Sequence, residues 1–449
     1  MVPEGWMETY LGEVISHKKG FAFNSGSYRD KGIRIVRISD TTRNSVHSEN
    51  PVYLAEEDAS GLESYKLNKD DIILSTVGSR PHLLDSMVGK AVRVPLEADG
   101  SLLNQNLVKV IPQASKIINE YLYEILKNKR FIFFISTLVR GNANQVSITL
   151  SDLFKYHFLL PPLPEQKKIA QILSTWDKAI TTTEQLLANS QQQKKALMQQ
   201  LLTGKKRFNS NGNYDYSVRD GFAKSKLGAL PSDWKVELIK KHLWYQEGPG
   251  VRNHQFTEQG VKLFNGTNIQ FNRIDLSNTT THISEEQCLG AYRHFLVDDG
   301  DLLIACSGIS VDRFDEKIAF ASNAHLPLCM NTSTMRFKPL IDGGVDITYF
   351  QYFMQSLVFK NQIRRQATGS AQLNFGPSHV GKCFVVIPSL VEQQKIAAVL
   401  STADQEISDL QQNLDALKQE KKALMQQLLT GKRRVLVDNL CTEVENYGN

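Results

Sequence analysis

Two segments of the chain carry an apolar seam with the alternating four- and three-residue spacing of a heptad repeat. One seam runs from Ile169 to Leu201 and the other from Ile396 to Leu428, and polar residues, many of them Gln, Glu or Lys, fill most positions between the seam residues. This narrow stripe is typical of a helix that pairs with another helix in a coiled coil. The seam positions are Ile169, Leu173, Trp176, Ile180, Thr183, Leu187, Ser190, Lys194, Leu197 and Leu201 in the first segment, and Ile396, Leu400, Ala403, Ile407, Leu410, Leu414, Leu417, Lys421, Leu424 and Leu428 in the second.

Both seams belong to a repeat that covers the whole chain. The letters from Lys194 to Lys205 recur unchanged from Lys421 to Lys432, and 25 of 42 positions are identical between residues 164–205 and 391–432. Twice the offset of 227 residues is close to the full length of 449, so the chain is one unit duplicated. We predict that the two seams pair antiparallel, about a pseudo-two-fold axis, with a globular domain at each end.

The paired helices are predicted to act as a ruler of fixed register. The first seam covers 33 residues, which corresponds to roughly 50 Å of helix. The polar seam residues Thr183, Ser190, Lys194 and Lys421 weaken the packing but discriminate between registers.

Start and stop signals flank both helices. Gly204 and Gly431 follow the last seam residues, where a left-handed residue commonly closes a helix. Ser389 and Glu392 have the spacing of a capping box, and Pro164 suits the first turn of the other helix.

Outside the seams, short β-rich runs alternate with turns, and each half contains one amphipathic helical stretch. The predicted strands are 33–38, 71–77, 90–94 and 156–160 in the first half and 261–264, 301–306, 333–338 and 383–387 in the second; the helical stretches are 117–126 and 347–359. The predicted fold class is α+β, with two mixed α/β domains joined by two long helices that form an antiparallel coiled coil.

The composition of the segments outside the strands and helices predicts the domain boundaries. Residues 208–229 are rich in Asn, Ser, Gly and charge and are predicted to be a linker, and the last residues are acidic. The predicted organisation is domain 1 at 1–160, helix 1 at 161–207, the linker at 208–229, domain 2 at 230–387, helix 2 at 388–434 and a tail at 435–449.

The formal net charge of +5 is compatible with a nucleic-acid partner but does not by itself predict one. All five cysteines lie in the second half without metal-site spacing, so we expect reduced thiols and a cytoplasmic protein. No run approaches the ~20 apolar residues of a membrane span, and the first residues do not resemble a signal peptide.

Signatures of catalysis are missing from the sequence. It contains no phosphate-binding GxxxxGK[ST] loop, no HExxH, no GxSxG and no Asn-Pro-Pro-Tyr motif, and its ten histidines are scattered. We therefore expect no catalytic residue, no metal site and no cofactor in this chain.

Two diverged domains on a rigid spacer suit the recognition of two short DNA elements that are separated by unread base pairs. Arg, Asn and Gln read base edges, whereas Lys, Ser and Thr contact phosphates. The candidates are residues of this kind in loops after strands or at glycine turns: Lys18, Lys19, Arg37, Ser79, Arg80, Arg140, Asn142, Asn144 and Gln145 in the first domain, and Arg252, Asn253, Asn265, Asn268, Arg313, Arg364, Arg365, Ser370 and Gln372 in the second. For each of them alone, a solvated surface role is the more common one.

Four segments resemble the conserved regions of type I restriction-modification specificity (S) subunits: Leu160 to Leu173, its echo Ile387 to Leu400, Gly141 to Gln145 and Gly369 to Gln372. The resemblance covers the entire chain. It implies a non-catalytic, sequence-specific DNA-binding subunit in which each of two target-recognition domains reads one half of a bipartite site. It also implies two methyltransferase (modification) subunits docked on the helices, S-adenosylmethionine bound to those subunits, and motor-nuclease (restriction) subunits as possible further partners.

Two other functions stay open on the residues alone. The chain is alternatively a coiled-coil scaffold that binds proteins without DNA specificity, or a nuclease or methyltransferase in its own right, which the missing motifs disfavour. The first-turn residues of the helices are candidates to face a modification subunit, although the helix dipole also explains them; they are Glu165, Gln166, Glu392 and Gln393.

Overall fold

The computed structural model of this protein forms two compact units, and the boundary between them falls within both long helices. Unit 1 comprises Met1–Glu184 and Gln412–Asn449, and unit 2 comprises Gln185–Gln411. The structure describes residues 2–42, 44–47, 49–80, 82–83, 86–139, 146–208, 214–215, 221–367 and 372–437.

Unit 1 combines short strands with short helices and with parts of the two long helices. Its strands are β1 (Met7–Tyr10), β2 (Ile15–Lys19), β3 (Ile33–Val36), β4 (Val52–Leu54), β5 (Ile72–Ser75), β6 (Val77–Gly78), β7 (Ala91–Arg93), β8 (Leu102–Leu103), β9 (Leu107–Pro112), β10 (Val146–Ser147) and β11 (His157–Leu160). Its helices are α1 (Leu11–Val14), α2 (Asn119–Lys127), α3 (Lys129–Leu138), α4 (Leu150–Leu153) and the start of α5 (Leu163–Leu201).

Unit 2 has the same kinds of element. Its strands are β12 (Arg207–Phe208), β13 (Tyr214–Asp215), β14 (Phe222–Ser225), β15 (Gly228–Pro231), β16 (Lys235–Leu238), β17 (Leu243–Glu247), β18 (Phe256–Thr257), β19 (Val261–Phe264), β20 (Ile269–Gln270), β21 (Arg273–Ile274), β22 (His282–Ile283), β23 (Leu302–Ala305), β24 (Ile309–Ser310), β25 (Ile318–Phe320), β26 (Leu328–Met330), β27 (Thr334–Pro339), β28 (Gln372–Leu373) and β29 (Phe384–Ile387). Its helices are α6 (Glu285–Leu289), α7 (Ile347–Gln355), α8 (Leu357–Gln366), α9 (Pro377–Val380) and the start of α10 (Leu390–Leu428).

The same sheet plan occurs in both units. A four-stranded antiparallel sheet has the order β2-β9-β5-β7 in unit 1 and β17-β27-β23-β25 in unit 2. The strand that leads into each long helix pairs antiparallel with an early strand, as β1 with β11 and β16 with β29. The predicted fold class is therefore confirmed, including the mixed α and β content of both domains.

The hydrophobic cores follow the predicted strands and helices. In unit 1, the fully buried side chains of Leu74 and Tyr121 share a cluster with Leu173 of α5. In unit 2, Phe337 and Phe350 share a cluster with Leu400 of α10. The start of each long helix is thus part of the core of its own unit.

Two local predictions are refined by the structure. The helical stretch predicted from Ile347 to Phe359 is interrupted at Ser356, whose hydroxyl caps α8 by accepting from the backbone N–H of Phe359 at 3.3 Å. Part of the stretch predicted as a linker forms a hairpin, because β14 pairs antiparallel with β15.

A left-handed glycine closes the turn that follows each long helix, as the sequence predicts. Gly204 has φ of 70° and Gly431 has φ of 68°, which is the left-handed region. A Cβ atom at these positions would lie 2.2 Å from Pro231 Cγ and 2.3 Å from Pro3 Cγ, respectively. Glycine is required here by the backbone conformation and by the neighbouring proline.

Candidate nucleic-acid interface

The seam of each long helix is sequestered from solvent along its length. All ten heptad positions of α5 and all ten of α10 are buried or half-buried. Leu173 and Leu400 have no exposed surface, and even the polar seam residue Thr183 is only 7% exposed. Gln and Lys residues occupy many of the exposed positions of both helices.

Unit 1 fixes the direction of helix pairing through two ion pairs. Lys421 Nζ lies 2.6 Å from Asp177 Oδ2, and Lys418 Nζ lies 2.7 Å from Glu184 Oε1. Residue numbers rise along α5 while they fall along α10, so the two helices are antiparallel in this unit.

Unit 2 contains the equivalent lysine–aspartate pair and a different second contact between the helices. Lys194 Nζ lies 2.5 Å from Asp404 Oδ1, and the Ser190 hydroxyl donates to Glu406 Oε1 at 2.8 Å. The helices are therefore antiparallel here as well. The seam lysines, which the sequence identified only as register-discriminating residues, each bind an aspartate of the other helix.

A third group completes each ion pair, and it differs between the units. In unit 1 it is Glu124 of α2, whose Oε2 lies 3.5 Å from Lys421 Nζ and has no hydrogen-bond partner among the described residues. Burial raises the pKa of this carboxyl, and the attraction of Lys421 only partly offsets that effect. In unit 2 it is Tyr352, whose hydroxyl donates to Asp404 Oδ2 at 2.8 Å.

An arginine just beyond the end of each helix binds a glutamate at the start of the other helix. In unit 1, Arg434 Nε donates to Glu165 Oε2 at 2.9 Å and a second guanidinium N–H reaches Glu165 Oε1. Trp6 Nε1 donates to the same carboxylate at 3.1 Å. We call this arrangement of arginine, glutamate and tryptophan the clasp.

Unit 2 has the same clasp. Arg207 donates to both carboxylate oxygens of Glu392, at 2.9 and 2.8 Å, and Trp234 Nε1 donates to Glu392 Oε2 at 3.2 Å. Arg207 also binds Asp233 through two hydrogen bonds of 2.8 Å. The capping box predicted from Ser389 and Glu392 is half formed. The backbone N–H of Glu392 donates to Ser389 Oγ at 3.3 Å, but the Glu392 carboxylate accepts from Arg207 and Trp234 instead of from the backbone N–H of Ser389.

The glutamine that follows each clasp glutamate is fully buried and joins the helix to its domain. Gln166 donates to the carbonyls of Lys116 and Pro161 and accepts from the backbone N–H of Ile118 at 3.0 Å. Gln393 has the same pattern, with the backbone N–H of Asp346 as its donor at 2.8 Å. These first-turn residues make contacts within their own unit, which their position in the sequence alone does not reveal.

Each unit has a two-stranded ribbon beside predicted DNA-contacting residues: β6 is followed by Ser79 and Arg80 in unit 1, and β24 is followed by Arg313 in unit 2. In unit 1, β6 pairs with β10, so that Gly78 lies opposite Val146. In unit 2, β24 pairs with β28, so that Ser310 lies opposite Gln372. Five of the predicted DNA-contacting residues lie outside the described residues: Arg140, Asn142, Asn144, Gln145 and Ser370.

The described candidates of the first domain include both exposed and engaged side chains. Lys19 is exposed, whereas Lys18 Nζ lies 4.3 Å from the centre of the Tyr65 ring. Ser79 shares a hydrogen bond of 2.7 Å with Ser86, and Arg80 next to it is half-buried.

Arg37 is held by an internal ion pair. Its guanidinium donates to both oxygens of the buried Asp40, at 3.1 and 2.8 Å, and to the carbonyl of Asn50 at 2.9 Å. The hydrogen bonds to Asp40 raise the pKa of Arg37. The equivalent residues in unit 2, Asn265 and Asn268, share only the backbone contact: the backbone N–H of Arg37 donates to Asp40 Oδ2 at 2.8 Å, and that of Asn265 donates to Asn268 Oδ1 at 2.9 Å.

The other candidates of the second domain lie mostly at the surface. Arg252 and Asn253 are exposed in a single turn before β18, and Arg364 and Arg365 are exposed in the last turn of α8. Gln372 is exposed on the ribbon. The remaining candidate, Arg313, follows β24 and forms an ion pair of 2.8 Å with Glu316.

Sequence reasoning missed three kinds of functional contact residue: the clasp arginines, the clasp tryptophans and the aspartates that bind the seam lysines. Their signal was present, since each occurs in both halves of the chain at an offset of 227 or 228 residues. The pairs are Trp6 and Trp234, Asp177 and Asp404, and Arg207 and Arg434.

Within the described ranges, no group of three or more His, Cys, Asp or Glu side chains is placed to hold a metal ion. The same part of the chain contains no helix that combines the length and apolar character needed to cross a membrane. Four cysteines are buried free thiols: Cys288, Cys306, Cys329 and Cys383.

Comparison with known proteins matches both halves of the chain to one family. The model of the type I restriction modification DNA specificity domain matches residues 3–189 and again residues 231–419. A similar curated protein is the type I restriction enzyme MjaVIII specificity subunit of Methanocaldococcus jannaschii, which is 25% identical over 97% of this chain and 94% of its own length.

Solved structures with a similar fold include the S subunit of a type I restriction-modification system from M. genitalium. It has a TM-score of 0.57 and 14% identity, and the match covers 95% of this chain and 96% of that one. A chain from a structural study of complex assembly and conformational transition in a type I R-M system has a TM-score of 0.54 at 17% identity, with 96% of this chain and 100% of that chain covered. With two family matches that together span most of its residues, this chain belongs to the type I restriction-modification DNA specificity family.

Proposed function

We propose that this chain is the non-catalytic subunit that selects DNA for a type I restriction-modification complex. Each globular domain reads one half of a bipartite site, and the paired helices set the spacing between the halves. The observation that carries the proposal is the duplication: one family model matches the chain twice, and each unit repeats the clasp and the lysine–aspartate pair.

The paired helices also dock two modification subunits in this proposal. Support comes from residues that are identical in both copies although they are exposed. Lys195, Ala196, Gln199 and Gln200 of α5 recur as Lys422, Ala423, Gln426 and Gln427 of α10, and all eight side chains are exposed. Packing within the chain explains identity at buried positions but not at exposed ones, whereas binding of one partner at each copy explains identity at the exposed positions.

A matched pair of variants tests this docking surface. Ala196→Glu combined with Ala423→Glu places two carboxylates on the repeated surface, and we expect loss of co-purification with the modification subunits at an unchanged melting temperature. Ala188→Glu is the control, because Ala188 is exposed on the same helix but its counterpart is Asp415. Equal co-purification of both variants would place the partner elsewhere.

Sequence-specific DNA binding is the direct test of the function. The complex of this chain with its modification subunits is titrated against duplexes that carry the methylated motif of the source organism and against scrambled duplexes, at a fixed salt concentration. We expect a preference of at least about 10³-fold for the motif. No preference would favour the scaffold role instead.

Two further properties complete the proposal. S-adenosylmethionine binds to the modification subunits and not to this chain, which we expect to bind none in equilibrium dialysis. We place the complex in the cytoplasm, because buried free thiols suit a reducing compartment.

A further inference from the structure

The turn between β20 and β21 carries an exposed phenylalanine at its tip. These strands form a tight hairpin in which Gln270 is paired with Arg273, so Phe271 and Asn272 are the two central residues of the turn. Both have positive φ, 50° for Phe271 and 61° for Asn272. Turns of this kind favour Asn and Gly, and a bulky side chain is unusual in them.

Phe271 has two unfavourable features and little packing within the chain to offset them. Its backbone is in the left-handed region, which is strained for a residue with a large side chain. Its ring is 67% exposed to solvent. Strain of this type at an exposed position is characteristic of binding sites, where a ligand supplies the missing contact.

The tip is held in place from the neighbouring segment. The backbone N–H of Asn272 donates to the carbonyl of Glu316 at 2.9 Å, and Lys317 Nζ donates to the carbonyl of Ile269 at 2.6 Å. Arg313 lies against the ring, with its guanidinium carbon 5.5 Å from the ring centre, and is fixed there by Glu316. The backbone of the turn is therefore anchored, and one side of the ring lies against Arg313.

Divergence between the two halves identifies the kind of partner. The first domain has the same hairpin frame, since Thr41 is bridged to Val46 and these residues correspond to Ile269 and Ile274 at an offset of 228. The sequence position of Phe271 is occupied there by Arg43, which lies outside the described residues. A modification subunit that docks on both halves would favour the same residue twice, whereas two different DNA half-sites favour different residues.

We propose that Phe271 is a base-contacting residue that packs against the 5-methyl group of a thymine in the half-site read by the second domain. Apolar contact with this methyl group is an established way to distinguish thymine in the major groove. Arg313 occupies one side of the ring, so the ring cannot insert between two base pairs with both faces covered by bases. Its free edge and other face remain for the methyl group. This inference rests on the proposed DNA-specificity function.

The test uses the full chain in complex with its modification subunits and duplexes that carry its methylated motif. Each thymine of both half-sites is replaced in turn by uracil, which lacks only the methyl group, and affinity is measured by competition anisotropy. For the wild-type complex, we expect about a fourfold loss at one thymine, the equivalent of one buried methyl group. Phe271→Asn should bind the thymine and uracil duplexes equally at that position, with an unchanged or raised melting temperature because Asn tolerates positive φ.

Leu289→Asn is the matched control, because Leu289 is 65% exposed in the same unit. It should retain the wild-type response to uracil. The proposal is overturned if Phe271→Asn keeps that response, or if no thymine in either half-site responds in the wild type. It is also overturned if Phe271→Asn, but not Leu289→Asn, fails to co-purify with the modification subunits, because the ring would then belong to a protein interface. Failure of the wild-type complex to prefer its own motif would instead refute the proposed function itself.

Discussion

The clasp of unit 2 gives a quantitative prediction for the substitution Glu392→Gln. Glu392 is 7% exposed and accepts three hydrogen bonds, two from Arg207 and one from Trp234. Glutamine keeps the shape of the side chain and one acceptor oxygen, but it turns an N–H₂ group toward the N–H donors of Arg207.

The expected loss follows from these contacts. Hydrogen bonds to charged groups contribute roughly 1.5–3 kcal/mol net, and Arg207 keeps its two bonds to Asp233, so its charge stays compensated. We therefore expect Glu392→Gln to lower the free energy of unfolding of unit 2 by about 2–3 kcal/mol. For a unit of this size, that corresponds to a fall of about 5–10 °C in melting temperature.

Differential scanning calorimetry of the full chain measures this change. Glu406→Gln is the control, since Glu406 is exposed on the same helix and its one hydrogen bond within the described part of the chain comes from the Ser190 hydroxyl. We expect it to change stability by no more than about 0.5 kcal/mol. If Glu392→Gln lowers the melting temperature no more than Glu406→Gln does, the clasp does not stabilise the unit and the reasoning is refuted.

Three further predictions concern the paired helices. Lys194→Asp should destabilise unit 2 by placing two carboxylates together, and the added exchange Asp404→Lys should restore about 1 kcal/mol in a double-mutant cycle of chemical denaturation; no recovery would contradict the pairing. Glu124→Gln should match the wild type in stability below pH 4.5, the ordinary pKa of the group, and should be increasingly more stable than the wild type above that pH. The reason is that the carboxyl has a raised pKa in the folded state, so the folded wild type loses stability as the pH rises through the folded-state pKa. Urea unfolding at several pH values measures the difference, and a difference that is the same at every pH would contradict the prediction. Insertion of one heptad into each helix should lengthen the helices by ~10 Å and widen the unread gap of the methylated motif by about three base pairs. A motif with an unchanged gap would show that the helices do not determine the gap length.

The sequence predicted the two long helices and the strands with continuous apolar runs, such as β5 and β23, because their signals are local. It did not predict β2, β9 and β17, although all three belong to the four-stranded sheets. A seam such as Ile169 to Leu201 repeats every seven residues and needs no knowledge of distant contacts. The partner of each seam lysine was beyond this kind of reasoning. Asp404 is 210 residues from Lys194, and only the register of the antiparallel pair brings them together.

The candidate interface was harder to predict for a different reason. Arg37 is a suitable base-reading residue by type, yet its guanidinium is bound to Asp40 three residues later. The same spacing, filled by Asn265 and Asn268, could have indicated a pairing within the loop. Phe271 was not predicted as a contact residue, because a single hydrophobic residue in a loop belongs to no recognisable sequence motif. Only its backbone conformation and its exposure, which require the structure, distinguish it.

Mapping of methylated adenines by long-read sequencing tests the central claim most directly. A host without adenine methylation is made to express this chain together with its modification subunits. The account predicts one motif of two specific blocks separated by a fixed number of unread base pairs, with only one block changed when residues 230–387 are exchanged for those of a relative. A single continuous motif, or methylation that is unaffected by this exchange, would contradict it.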